Sequence, residues 1–113
     1  MFRKKLKWYR YFESKKELDA LFMINHTAVY QHMFGEVLFI KEGNEYYAFR
    51  NKCPHQNKSL NGCTIHDGHI VCPFHHYHYS LKNGRGHGLY IDKYLLKIDE
   101  TGVYVGKEKI SLF

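Results

Sequence analysis

Proline, cysteine and tryptophan are scarce in this chain, whose 113 residues hold two, three and one of them. Three cysteines cannot build the multi-bridge framework on which small secreted domains depend, so a reducing compartment and a thiol or metal role are expected instead. Long apolar runs are missing as well. The longest near the N-terminus covers only residues 20–24, too short for the apolar core of a secretory signal, and no stretch approaches the roughly 20 residues of a membrane helix. These absences predict a cytoplasmic protein without a membrane span. At this length a single domain spanning 1–113 is expected, with one core and no room for a second catalytic domain.

Charge of one sign is concentrated rather than spread. The net charge is +6, and Arg3, Lys4, Lys5, Lys7 and Arg10 place +5 in the first ten residues, leaving +1 for the rest. The bland reading of such a run is a solvated, partly frayed terminus; the functional one is a patch that steers an acidic partner. No aromatic-interleaved basic groove or recognition helix accompanies it, so no nucleic-acid partner is expected.

Aromatic residues are abundant, with ten Tyr and eight Phe, which favours a β-rich body. Residues 8–12 read as an edge strand. Ser14-Lys15-Lys16-Glu17 is a capping-box pattern that opens one short helix, with Leu18 and Leu21 toward the core and an end before Asn25. Period-two alternation follows from Thr27, and Gly35 marks a turn. Residues 36–41 and 45–50 form a hairpin across Glu42-Gly43-Asn44. Asn61-Gly62 and Asp67-Gly68 punctuate short strands at 64–65 and 69–71. Residues 77–81 form a strand with its turn at 82–84, and 94–98 with 103–105 close the chain as a final hairpin.

What the chain does hold is a repeated pairing of cysteine with histidine. Both prolines directly follow cysteines, in Cys53-Pro54-His55 and Cys72-Pro73-Phe74-His75, with sixteen residues between the two motifs. One thiolate and one imidazole from each loop suit a [2Fe-2S] cluster in which two cysteines hold one iron and two histidines the other. A Cys2His2 zinc site uses the same ligand types, but paired cysteines and paired histidines in such sites are usually spaced by about two to five residues, which Cys-x-His fits poorly. Buried thiols with unrelated surface histidines would not explain why the pattern repeats.

On these motifs the chain resembles the Rieske iron-sulfur family, and more narrowly the small soluble Rieske-type ferredoxins, from about Trp8 to about Val105. The resemblance implies an all-β fold: a Rieske-like antiparallel β sandwich or barrel with a small inserted cluster-binding subdomain, here about 51–80, and one short N-terminal helix. It implies one [2Fe-2S] cluster held by Cys53, His55, Cys72 and His75, with the histidine-bound iron at the exposed tip and the cysteine-bound iron inside. Two ferric ions, two sulfides and two thiolates sum to zero with neutral histidines, so an electron is accepted more readily than by a four-thiolate cluster. The expected potential is about −150 to +300 mV, against about −400 mV for plant-type ferredoxins. Reduction should raise the proton affinity of the ligand imidazoles and couple electron to proton uptake.

Three departures from the family pattern carry expectations. The cytochrome bc branch joins its two loops by an additional disulfide; Lys58 and Phe74 occupy the matching positions, so the chain sides with the ferredoxin and oxygenase branch and Cys63 is left as a buried or semi-buried thiol. Many Rieske ferredoxins have glycine where Asn57 and His76 stand, and these two types tolerate positive φ best among the others. The proline-rich cover of the cluster is missing, since 84–93 contains no proline. Tyr79 falls where high-potential members place a tyrosine that reaches a ligand cysteine, and Tyr77 where they place a serine, so both are candidates for tuning the potential. His66, His69, His76 and His78 read as surface histidines rather than a second metal site.

A mononuclear iron triad finds no material beyond the second loop, where only His87 is available outside that loop's own histidines. The expected function is electron carriage, not catalysis: one electron passed from a reductase to a terminal oxygenase or another reductase acceptor, by a chain that is a monomer in isolation. A cluster-bearing small subunit resembling that of assimilatory nitrite reductase is the alternative, and a zinc-stabilised binding module the third.

Overall fold

A computed structural model describes residues 2–32, 35–55, 57–74 and 76–112, with side chains described over 6–31, 35–55, 57–74 and 76–107. The chain runs β1 (Phe2–Phe12), α1 (Lys15–Ala20), β2 (Thr27–His32), β3 (Gly35–Glu42), β4 (Glu45–Arg50), β5 (Thr64–His66), β6 (His69–Val71), β7 (His78–Ser80), β8 (Arg85–Gly86), β9 (Leu89–Tyr90), β10 (Lys93–Asp99) and β11 (Gly102–Leu112). All paired strands are antiparallel. Six of them form one sheet in the order β1-β11-β10-β4-β3-β2; β5-β6-β7 and β8-β9 form two smaller ones. The all-β class is as the sequence predicts, and among the described residues there is one short helix, also as expected.

The large sheet curls because β10 serves two partners in succession. Its first residues, Lys93 and Tyr94, pair with β4, whereas Leu95 to Asp99 pair with β11. A strand that changes partners in this way makes a corner between two half-sheets. The curl encloses a core of Tyr11, Phe12, Leu18, Val37, Phe39, Ala48, Val103 and Val105. Phe12 and Phe39 meet edge-on there at 5.4 Å between centroids, a geometry worth about 0.5–1.5 kcal/mol beyond the area buried.

Strands β3 and β4 also face a second core. Val37 and Phe39 point into the first, while Leu38 and Ile40 join Phe49, Leu60, Ile70, Tyr79, Leu81, Ile91 and all three cysteines in the other. Alternate residues of a strand point to opposite faces, so the run Val37-Leu38-Phe39-Ile40, buried throughout, is a partition with a core on each side.

One expectation is corrected. The basic terminus is no frayed tail: it extends the predicted strand from 8–12 to 2–12, laddered to β11 from Phe2↔Leu112 to Phe12↔Val103. The helix ends at Ala20, before Asn25 as expected, and Leu21 and Phe22 beyond it pack on the first core, where Phe22 meets the Tyr46 ring at 6.3 Å between centroids. Its start is as expected, with the Ser14 hydroxyl accepting from Glu17 N–H at 3.3 Å. Asp19 ties the helix to the sheet by accepting from Tyr46 Oη and from Lys41 Nζ, the latter at 3.3 Å. Among the described residues no helix is long and apolar enough to cross a membrane.

Candidate functional site

Strand β4 ends at Arg50 and leads into the first loop through Asn51. This asparagine, 8% exposed, donates through Nδ2 to Glu36 Oε2 and to Ser59 Oγ, both at 2.9 Å, and accepts from Leu60 N–H at 2.8 Å. It clamps both ends of the loop. A single Asn beside a turn gives no signal of this in sequence, because its partners are 8 to 15 residues away.

The two cysteine loops close by the same device. Cys53 N–H donates to the Lys58 carbonyl at 2.7 Å, and Cys72 N–H donates to the Tyr77 carbonyl at 2.8 Å. Each bond spans five residues, and in each loop the residue four after the cysteine turns the chain through positive φ: Asn57 at 56° and His76 at 56°. These are the two positions where the sequence offers Asn and His in place of glycine. Proline after each cysteine fixes the first turn's φ, so the common shape is written at both ends of each loop.

This closure brings the thiols together. Cys53 and Cys72 are buried, and their Sγ atoms lie 3.2 Å apart, well beyond the ~2.05 Å of a disulfide. Burial pushes the Cys72 thiol up, since water no longer solvates the thiolate. Such a pair favours its charged form only if a cation replaces that water, which is what a metal ion does. Tyr79, also fully buried, places its hydroxyl 3.7 Å from Cys53 Sγ. Burial, then this contact, pushes the phenol well above its ordinary range.

The histidine side is open. His55 is exposed and stacks on Tyr77 at 4.1 Å between centroids, with 29° between planes. Tyr77 continues onto His87 at 4.6 Å. His87 stands at positive φ (55°) in the turn between β8 and β9, and its Nε2 accepts from His78 N–H at 3.1 Å. The hairpin lies tight against β7: a Cβ on Gly86 would sit 1.9 Å from the His78 carbonyl oxygen. The proline-free segment therefore does reach the site, through an imidazole that the sequence reading passed over. His75, the fourth expected ligand, lies outside the described residues.

Lys58 and Phe74 also meet across the loops, the ammonium 4.6 Å from the ring centroid. A cation–π contact links the loops at these two positions. Cys63 is buried in the same core, and desolvation pushes its thiol up to about 11. Of the extra histidines, His66 faces His69 across β5-β6, and His69 and His78 lie 6.2 Å apart between ring centroids. Among the described residues no three His, Cys, Asp or Glu side chains gather about one point.

The two like loops thus bring two buried thiols together and leave the His55 imidazole exposed, on a curled antiparallel body. The sequence model of the Rieske [2Fe-2S] domain matches residues 8–90, and the chain belongs to that family, whose domain implies a [2Fe-2S] cluster. Human apoptosis-inducing factor 3 is 31% identical over 83 residues, 70% of this chain; the chain spans only 14% of that relative's length. Among solved structures, the ferredoxin of carbazole 1,9a-dioxygenase from Nocardioides aromaticivorans IC177 superposes with a TM-score of 0.66 at 24% identity, covering 78% of this chain and 89% of that one. A chain described as an NADH-dependent nitrite reductase small subunit from Mycobacterium tuberculosis superposes with a TM-score of 0.73 at 13% identity, covering 91% and 96%. At these identities the likeness is one of fold.

Proposed function

We propose that the chain is a one-electron carrier that holds its cluster through Cys53 and Cys72 on one iron and His55 and His75 on the other. The observation that carries this reading is the Sγ–Sγ approach of 3.2 Å between two buried cysteines, one from each loop, with His55 exposed beside them. When bound, the group takes up and releases a single electron. The chain's own residues do the rest. The two loops fix the thiolates, the second core keeps water from them, and the Tyr79 hydroxyl donates toward Cys53 Sγ and favours the more negative reduced state. Tyr77 backs the exposed imidazole through which the electron passes. Residues 1–113 act as one unit, with 51–80 as its cluster-binding part, and no residue is assigned to bond-making chemistry.

The partners we assign are a reductase as donor and an oxygenase-type protein as acceptor. A second reading, as the cluster-bearing small subunit of a larger reductase, draws support from the extent of the fold likeness, since the superposition on the nitrite reductase small subunit covers 91% of this chain and 96% of that one.

Anaerobically purified protein tests the reading by iron content, visible absorption and low-temperature EPR after dithionite. Two irons per chain, a red-brown colour and a reduced signal averaging well below the free-electron g value are expected. Colourless protein that carries one zinc and is unchanged by iron-sulfur reconstitution would overturn it. Reoxidation of the reduced carrier by a terminal oxygenase, against stable association with a large reductase subunit, separates the two partner readings.

A further inference from the structure

Charge in this molecule follows the site. The stretches 50–62 and 72–93, which make the two loops and the β8-β9 hairpin, carry Arg50, Lys52, Lys58, Lys82, Arg85 and Lys93 against the single carboxylate of Asp92. Beyond the first ten residues, the rest of the chain carries six cations against ten carboxylates. The stretches that hold the loops and the hairpin are thus basic and the remainder of the chain acidic. Arg50 is paired with Asp92 at 3.5 Å. Among the described residues no carboxylate forms an ion pair with Lys52, Lys58 or Arg85.

Apolar surface lies within the same region. Phe74 is 41% exposed under Lys58, and Tyr90 is 63% exposed. A cleft of about 310 Å³ runs between the first loop, at Lys52, Pro54 and Asn57, and the hairpin, at Gly88, Leu89 and Tyr90, with the Arg50–Asp92 pair also on its wall. Exposed rings surrounded by unpaired cations are the composition of a transient protein interface, where aromatic residues supply contact and charge sets approach and orientation. The other basic run of the chain is placed elsewhere. It belongs to β1, at the sheet edge, separated by β11 and β10 from the β4 strand that leads to Cys53, or roughly 14 Å at ~4.8 Å per strand.

From this charge complementarity we propose that the tip formed by the two loops and the β8-β9 hairpin is a docking surface for an acidic face of a protein redox partner, with Lys52, Lys58 and Arg85 as its steering cations and Phe74 and Tyr90 as its contact rings. The proposal rests on the electron-carrier reading. It assigns the steering to the tip and not to the basic N-terminal strand.

The test uses dithionite-reduced holoprotein and stopped-flow reoxidation by anionic ferricyanide and by cationic tris(phenanthroline)cobalt(III). In the native protein ferricyanide should slow as salt is raised and the cobalt complex should not. The triple variant Lys52→Gln, Lys58→Gln, Arg85→Gln should lose about tenfold in the ferricyanide rate at low salt, the scale of electrostatic focusing, and nothing at 1 M salt. The variant Lys4→Gln, Lys5→Gln, Lys7→Gln should stay within about twofold of native. Poly-L-glutamate should slow ferricyanide oxidation of the native protein and leave the tip variant unaffected. Equal salt slopes in native protein and tip variant, with unchanged cluster content and EPR signal, would overturn the proposal, as would the loss appearing in the N-terminal variant. A chain that takes up no cluster overturns the carrier reading itself, and its lack of colour reveals this before any variant is compared.

Discussion

The two cores on either side of β3 and β4 are built from the same kinds of residue but hold different things. The core inside the curled sheet contains aromatic and aliphatic side chains from β1, α1, β3, β4 and β11 and no cysteine. The core beneath the small sheet holds Cys53, Cys63, Cys72 and the phenol of Tyr79 among its aliphatic residues. The first core needs only burial to be stable. The second contains thiols and a phenol that burial holds in their neutral forms, so binding of the proposed cluster has to displace the protons of the two thiols. One core makes the platform and the other carries the proposed site, with the partition strands shared.

Replacing either of the thiols proposed as ligands should separate the two most sharply. Cys53→Ala or Cys72→Ala is expected to abolish visible absorption and iron binding altogether and to loosen the loops, read as loss of hydrogen-exchange protection in β5 to β7 while β1 and β11 stay protected. Loss of protection spread evenly over both cores would show that they are one cooperative unit. On the other side, Phe39→Ala should lower unfolding free energy by about 3–5 kcal/mol, as for other buried aromatic truncations. It should leave the reduction potential of the folded fraction where it was.

Tyr79→Phe acts within the second core without removing a ligand. Losing one hydroxyl donor to Cys53 Sγ removes about 0.5–1.5 kcal/mol from the reduced state, so the potential should fall by roughly 20–60 mV for one electron. Protein-film voltammetry reads this directly, and a potential that rises would reverse the assigned direction. The smallest effect belongs to the platform surface. The hydrogen bond from Tyr46, and then Lys41, holds the Asp19 carboxyl below its usual range. A depressed folded value means stability that is present above the unfolded pKa and lost as pH falls through the folded one. Asp19→Asn should therefore flatten the acid limb of the stability–pH curve, by less than about 1 kcal/mol for so exposed a group, without changing the cluster.

Legibility in the sequence followed locality. The hairpin at Gly43-Asn44, the cap at Ser14 and the two Cys-Pro loops each depend on residues within a few positions, and all are where the pattern places them. The left-handed backbone at Asn57 and His76 was readable because only a few residue types accept it. What escaped is long-range. The lysine-rich start of β1 looks like a solvated tail until β11, about a hundred residues on, supplies its ladder. The division of β10 between two partners leaves no periodic trace, since a strand reads the same whichever neighbour it has. His87 gave no signal because its role depends on a turn that places it over Tyr77, and Asn51 because its clamp joins three separate segments.

The central claim is that this chain's own histidines bind the cluster opposite the two buried thiols. Pulsed EPR of the dithionite-reduced protein, with 15N placed in histidine alone, tests it most directly. The account predicts strong coupling from two histidine nitrogens, falling to at most one in His55→Ala or His75→Ala. A reduced iron-sulfur signal with no strongly coupled histidine nitrogen would contradict it.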